Sequence, residues 1–391
     1  MKNQIETRLT ITCLLILVIS FFAIYIPVIS FGFISDDFEL VRFSFQQAFD
    51  TTFQSVHFRP IWFFSYPVVN TIFDNSSHTH HIVNFSLHLV NCLLAISIIR
   101  SFLTFSVALL LVGVWSLVPW IAFPIAWISQ RNDLLMAFFL LLAIHQRTVA
   151  PWAYFTFTTF AFLSKVTCMF FPLTFFFTSG LKAKKNYIIL ACAIFGVMFA
   201  VSYWALTKGT TQEHLADLTL LLKVLNHAKN FVVGWLLLLV PVPFLFSPLN
   251  ITGFVVMFLG LGYLIVKYAK ITTTTKKYLI FSFFMSIPLA MTYDLRITYL
   301  QSLFLLIALF SSLQAGFAEY NISFRKRVGV LGIVFLAFWF FSVPATVATR
   351  DKFNTGKHDI TKTPEPSPQN GYYPNNFYSW FREVQIRLLK P

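Results

Sequence analysis

Apolar runs close to the ~20 residues that a helix needs to cross a hydrocarbon core recur from end to end of this chain. Residues 10–29, 82–99, 102–118 and 187–206 are examples. No water-soluble fold hides that much apolar surface: 57% of the residues are hydrophobic and only 11% are charged, with a mean hydropathy of +0.72, far from soluble domains. The fold class expected is all-α, a polytopic transmembrane bundle of about eleven spans, with surface helices in the first outer loop. The first run ends on Phe31-Gly32-Phe33 instead of the small residues of a cleavage site, so it reads as an uncleaved anchor.

Orientation follows from where the basic residues fall. The net charge of +14 is spread over short connections: Lys2 and Arg8, Arg100, Arg147, Lys182-Ala183-Lys184-Lys185, residues 267–277 and Arg325-Lys326-Arg327. Basic residues in short loops stay cytoplasmic, so this charge reads as topology and not as a nucleic-acid surface. An even number of crossings must then separate successive clusters. Residues 149–181 become a hairpin of two short helices turning at Ser164-Lys165, with the lysine near the outer surface. Residues 32–80, 119–133, 208–250, 293–296 and the tail after 345 fall outside. Residues 231–245 are apolar but carry Pro241 and Pro243, and a full crossing there would reverse every later loop. That segment reads as re-entrant or surface-lying. Residues 1–347 form the transmembrane unit, whose first outer loop, 30–80, carries an acidic motif. The Pro-, Thr- and Asn-rich tail 348–391 is expected to be poorly ordered, with an amphipathic helix at 376–389 that suits a membrane surface or the outer loops.

Ionisable groups at membrane depth are costly and mark functional pathways. Ser35-Asp36-Asp37 opens an amphipathic stretch (Phe38, Val41, Phe45, Phe49) suited to the outer surface; Ser35 or Asp36 is equally suited to an N-cap. His81, Asn84, His88 and Asn91 share one helical face. They line a cavity or, better for His88 and Asn91, make interhelical hydrogen bonds. The histidines lack the carboxylates or cysteines that would complete a zinc site. Arg131 and Asp133 lead into an apolar helix, where an intraloop ion pair is the plain alternative. Arg59, Lys165, and Arg296 beside Asp294 are single cations at outer helix ends, where snorkelling to headgroups is the plain alternative. Cys13, Cys92, Cys168 and Cys192 all lie in apolar runs and say nothing of disulfides. A nucleotide-driven pump is disfavoured by the lack of any phosphate-binding Gly-rich loop.

Paired acids beside several cations at one membrane face suit group transfer from a lipid phosphate. An acid deprotonates an acceptor hydroxyl, cations stabilise the departing phosphate, and a single displacement inverts the anomeric centre. Five segments resemble the GT-C membrane glycosyltransferases, and they come in the same order: Phe33-Ile34-Ser35-Asp36-Asp37, Arg59-Pro60, His81 through His88, Ala126 through Leu135, and Phe162-Leu163-Ser164-Lys165. The last two are similar to patterns of protein O-mannosyltransferases and their TPR-bearing relatives; the likeness covers roughly residues 10–179.

The resemblance implies a polyprenyl-phosphate sugar donor and catalysis on the extracytoplasmic face. It implies Asp36 as the catalytic acid, with Asp37 supporting it or positioning the acceptor. It implies Arg59, Arg131 and Lys165 around the donor phosphate, with Arg296 matching only loosely. The chain departs from the TPR-bearing relatives in lacking a helical repeat domain after its last span, which favours a glycan such as lipopolysaccharide or surface polysaccharide over a protein acceptor; a lipid acceptor stays open. A protein O-mannosyltransferase is the rival enzyme, and a lipid or sugar flippase the rival of another class. No cofactor is implied firmly, although Asp36 and Asp37 would suit a divalent cation. The expected location is the bacterial inner membrane, with the N-terminus cytoplasmic and the active site periplasmic.

Overall fold

A computed structural model describes residues 2–33, 37–55, 58–118, 121–147, 149–175, 185–207, 263–291, 299–320, 343–344, 346–347 and 350–351. Among them every regular element is helical and none is a strand. Helix α1 (Lys2–Tyr25) gives way to a 3-10 turn, Ile26–Ser30, at Pro27, which has no N–H to continue the ladder. Two short helices follow, α2 (Asp37–Leu40) and α3 (Phe45–Gln54). A capping box starts α3: the Gln47 N–H donates to Ser44 Oγ at 3.2 Å, and the Ser44 N–H to Gln47 Oε1 at 2.8 Å. Helix α4 (Pro60–Ile72) opens on a proline, and α5 (Ser77–Ile99) is capped by Ser76. Then come α6 (Phe105–Ser116), α7 (Ala122–Ala126), α8 (Arg131–Gln146), α9 (Pro151–Ser164), α10 (Lys185–Thr207), α11 (Thr273–Met291) and α12 (Tyr299–Glu319). Among the described residues three stretches are helical, long and apolar enough to cross a membrane: α5, residues Tyr187–Trp204 of α10, and α12.

Two sequence expectations change. The hairpin over 149–181 turns at Lys165 as expected, but after α9 its described return is two 3-10 turns, Val166–Cys168 and Phe171–Leu173, the second carrying Pro172. The amphipathic stretch of the first loop is also broken in two. Phe38 and Val41 turn inward and are buried with Phe33, Phe63, Tyr66 and Ile128, whereas Phe45, Phe49 and Phe53 line one exposed face of α3. The break falls at Ser44, which caps the start of a second helix. Residues 231–245 and 376–389 lie outside the described residues, as does the rest of the tail apart from 350–351.

The ends of the bundle differ in charge. At one end the α1 carbonyl of Ile24 accepts from Arg350 Nη1 at 2.8 Å, and the Leu117 carbonyl after α6 accepts from Thr346 at 2.6 Å. The N-termini of α5 and α8 share that end. At the other end lie Arg100, Arg147, Lys270, Lys276 and Lys277, brought together by the Phe102–Tyr278 ring contact at 5.4 Å and the bond from the Lys270 N–H to the Ser312 carbonyl at 3.1 Å. There α12 approaches residues 263–268 so closely that a Cβ at Gly316 would collide with the Tyr268 carbonyl.

Candidate functional site

The polar stripe of α5 organises the non-basic end. His81, Asn84, His88 and Asn91 are all fully buried. Asn84 faces the irregular connection between α7 and α8, and its amide donates to the carbonyls of Pro124, Trp127 and Ile128 at 3.1, 3.4 and 3.4 Å. Carbonyls outside a regular helix need such donors when buried. The Asn84 side-chain oxygen accepts in turn from Arg131 Nε at 2.8 Å.

Arg131 is itself fully buried at the start of α8. Its Nη1 donates to the Ser65 carbonyl and hydroxyl at 3.3 and 3.4 Å; its Nη2 donates to His80 Nδ1 at 2.9 Å and the His80 carbonyl at 3.4 Å. The guanidinium also lies 4.7 Å from the Tyr66 ring centroid. Because His80 accepts at Nδ1, its proton sits on Nε2, which donates to Asn70 Oδ1 at 3.0 Å. The Asn70 amide then donates to the Val41 carbonyl at 2.6 Å. A directed chain of hydrogen bonds thus runs from the first loop through α4, α5 and α8. Every nitrogen of the Arg131 guanidinium has a protein partner within it, so in this arrangement Arg131 holds protein to protein instead of presenting itself to a donor phosphate.

Two acids complete the cluster. Asp37 is buried at the start of α2. Its Oδ1 accepts from the Ser129 N–H at 2.7 Å, and it stands within electrostatic reach of Arg131. Asp133 pairs with Lys165 at 2.6 Å, both side chains at most 5% exposed. The intraloop Arg131–Asp133 pair weighed from sequence is not what forms. Residues two apart on a helix point away from each other, and Lys165 reaches Asp133 from the turn after α9. Arg59, half-buried before Pro60, lies over the Trp62 ring at 5.4 Å. Asp36 and Arg296 lie outside the described residues.

The lower half of the stripe is neutral. His88 Nδ1 meets the Tyr299 hydroxyl at 2.5 Å, and Asn91 donates to the Leu134 carbonyl at 3.0 Å and the Tyr299 hydroxyl at 3.4 Å. Trp115 Nε1 donates to the Tyr299 carbonyl at 2.9 Å. Asn84 and His88 are therefore packed into protein contacts: for Asn84 this corrects the cavity-lining expectation, and for His88 it is the interhelical bond that was the better of its two readings. His81, its Nε2 3.5 Å from the Gly32 carbonyl and its ring 6.3 Å from Phe31, is likewise closed off from solvent. Sequence reading missed His80, Ser65, Tyr66, Asn70 and Tyr299. The run Ser65-Tyr66 with Asn70 one turn later, polar groups in an otherwise apolar helix, was the available signal for three of them. Among the described residues no three His, Cys, Asp or Glu side chains converge as metal ligands. The chain matches no protein-family model, no curated protein and no solved structure.

Proposed function

We propose that the chain is a membrane glycosyltransferase of about eleven spans and GT-C type, transferring a sugar from a polyprenyl-phosphate carrier to an exported acceptor hydroxyl. The acceptor proposed is a lipopolysaccharide or surface polysaccharide, and the setting a bacterial inner membrane with the basic end cytoplasmic. The observation that carries this reading is the buried assembly of Asp37, Arg131 and the Lys165–Asp133 pair at the end of the bundle opposite Arg100, Arg147 and Lys277. Burying four ionised groups together costs several kcal/mol per ion before pairing offsets it. A fold that needed only helix packing has cheaper ways to achieve it.

In the proposed step Asp36 takes the proton of the acceptor hydroxyl while that oxygen forms a bond to the anomeric carbon. The bond from that carbon to the phosphate oxygen breaks, and its electron pair leaves on the polyprenyl phosphate. Phosphate is a good leaving group, so no second acid is required, and attack from the opposite face inverts the centre. Arg59 and Lys165 are the cations proposed for the donor phosphate. Arg131 becomes a positioning residue, and Asp37 ties the acidic loop to Ser129. Transfer of labelled sugar from a panel of polyprenyl-phosphate sugars, native against Asp36→Asn at matched membrane expression, tests the proposal. Loss of transfer in the variant supports Asp36 as base, and undiminished transfer removes that role. Absence of transfer by the native protein from every carrier sinks the enzyme reading in favour of a flippase.

A further inference from the structure

A file of aromatic rings joins the first loop to α10. Phe49 and Phe53 lie one turn apart on the exposed face of α3, their ring centroids 5.0 Å from each other. Phe53 meets Phe58 at 6.0 Å, and Phe58 meets Trp204, in the last turn of α10, at 6.5 Å. Phe49, Phe53 and Trp204 are 52, 44 and 43% exposed. Past Trp204 the file continues into the exposed apolar surface of α10 at Phe199 and Val197, on a helix long and apolar enough to cross a membrane. Next to Phe58 in the chain stands Arg59, half-buried, with its guanidinium 5.4 Å from the Trp62 ring.

Contiguous exposed apolar surface of this kind marks a membrane or ligand contact, and its continuity with α10 points to a lipid. The shape of the surface narrows the choice. A single file of rings suits a single chain, whereas a glycerophospholipid brings two acyl chains side by side. A polyprenyl phosphate brings one branched, unsaturated chain whose flat isoprene units lie well against aromatic faces. The charge beside the file fits the same molecule, because a guanidinium meets phosphate oxygens with paired N–H groups. Chain and head thus find their complements in adjacent residues, Phe58 and Arg59.

We infer that Phe49, Phe53, Phe58 and Trp204 seat the isoprenoid chain of a polyprenyl phosphate whose phosphate lies at Arg59. The inference rests on the reading of the donor as a polyprenyl-phosphate sugar and assigns that donor's tail to the file between α3 and α10. It is tested by equilibrium binding of radiolabelled undecaprenyl phosphate to the purified full-length chain in phosphatidylcholine nanodiscs. The native protein is expected to bind saturably, with about a fivefold loss of affinity for Phe53→Ala or Trp204→Ala and roughly 25-fold for both. Trp204→Phe, which keeps a ring, should retain binding, and Ile19→Ala, at an exposed position of α1, should leave it unchanged. If the double variant does not elute as the native protein does, the two single variants decide. No saturable binding, or binding untouched by the ring variants, overturns the site. Equal displacement by phosphatidic acid, which carries a phosphate monoester on two acyl chains, overturns the polyprenyl assignment, and displacement by inorganic phosphate alone overturns the role of the chain. Binding is read without transfer, so the two readings fail separately. A protein that binds through these rings but transfers no sugar loses the enzyme reading and keeps the site; one that transfers sugar with native donor KM in both ring variants loses the site and keeps the enzyme.

Discussion

The two halves of α5 carry the same residue types, histidine and asparagine, yet do different work. In the outer half, His80 and Asn84 hold the guanidinium of Arg131 and the irregular backbone of the α7–α8 connection. In the inner half, His88 and Asn91 meet a tyrosine hydroxyl and a helical carbonyl and involve no ionised partner. The inner network joins regular helices, whose backbone groups are already satisfied, and supplies orientation at modest energy. The outer network fixes loops and charges, which have no other source of order, so each bond lost there strands a buried group. Evenly spaced polar residues on one helix can thus mark a packing seam over one stretch and a functional scaffold over the next.

The contrast predicts unequal costs. The largest is expected at the Lys165–Asp133 pair: Lys165→Met, which takes the cation from a buried carboxylate, should destabilise by about 3–5 kcal/mol. Combining it with Asp133→Leu should recover most of that loss, because a buried pair replaced by apolar groups is close to neutral. Unfolding in detergent across the two singles and the double checks both statements. A single-variant cost below that of any inner-half change would erase the distinction. Next comes Arg131→Lys, which keeps the charge but cannot reproduce the fork that meets Asn84, Ser65 and His80 together. A loss of roughly 2–3 kcal/mol is expected. Donor KM should be unchanged in the folded fraction, since the side chain acts through the protein. A raised donor KM at unchanged stability would return Arg131 to the phosphate.

Much of this scaffold was legible, and the remainder fails for identifiable reasons. The 3-4-3 spacing of His81, Asn84, His88 and Asn91 was enough to place them on one face, because helical periodicity is local. Their partners were not legible. Tyr299 lies 211 residues from His88, and nothing in a single sequence ties two such positions. Lys165 was read as a free cation near the surface, because its turn could be placed but the helix packed beside it could not. The resemblance alone gives Arg131 a phosphate role, and a buried guanidinium is ambiguous until its neighbours are known. The break at Ser44 was visible in principle, since Ser44 and Gln47 have capping-box spacing, but the continuing apolar periodicity of Phe38, Val41, Phe45 and Phe49 masked it.

The inner half supplies the smaller effect. Tyr299→Phe removes the hydroxyl that His88 and Asn91 share while keeping the ring against Trp115, and should cost about 1 kcal/mol. A cost approaching that of Lys165→Met would show that neutral networks here are worth as much as charged ones. The smallest effect is expected at the exposed tip of the same helix. Asp74 accepts from Thr79 and also from Ser76 at 2.7 Å, and these bonds, the first above all, hold its carboxyl below the usual range. A carboxyl lowered in the folded state contributes stability that is complete above its unfolded pKa and fades as pH falls through the folded value. Asp74→Asn should therefore lower the unfolding midpoint slightly at neutral pH, and the difference from the native protein should close under acid. It stays small because water screens an exposed carboxylate. A difference that persists at low pH would mean that the Asp74 side chain acts by shape and not by charge, and that capping at this end is independent of the buried electrostatics one turn below.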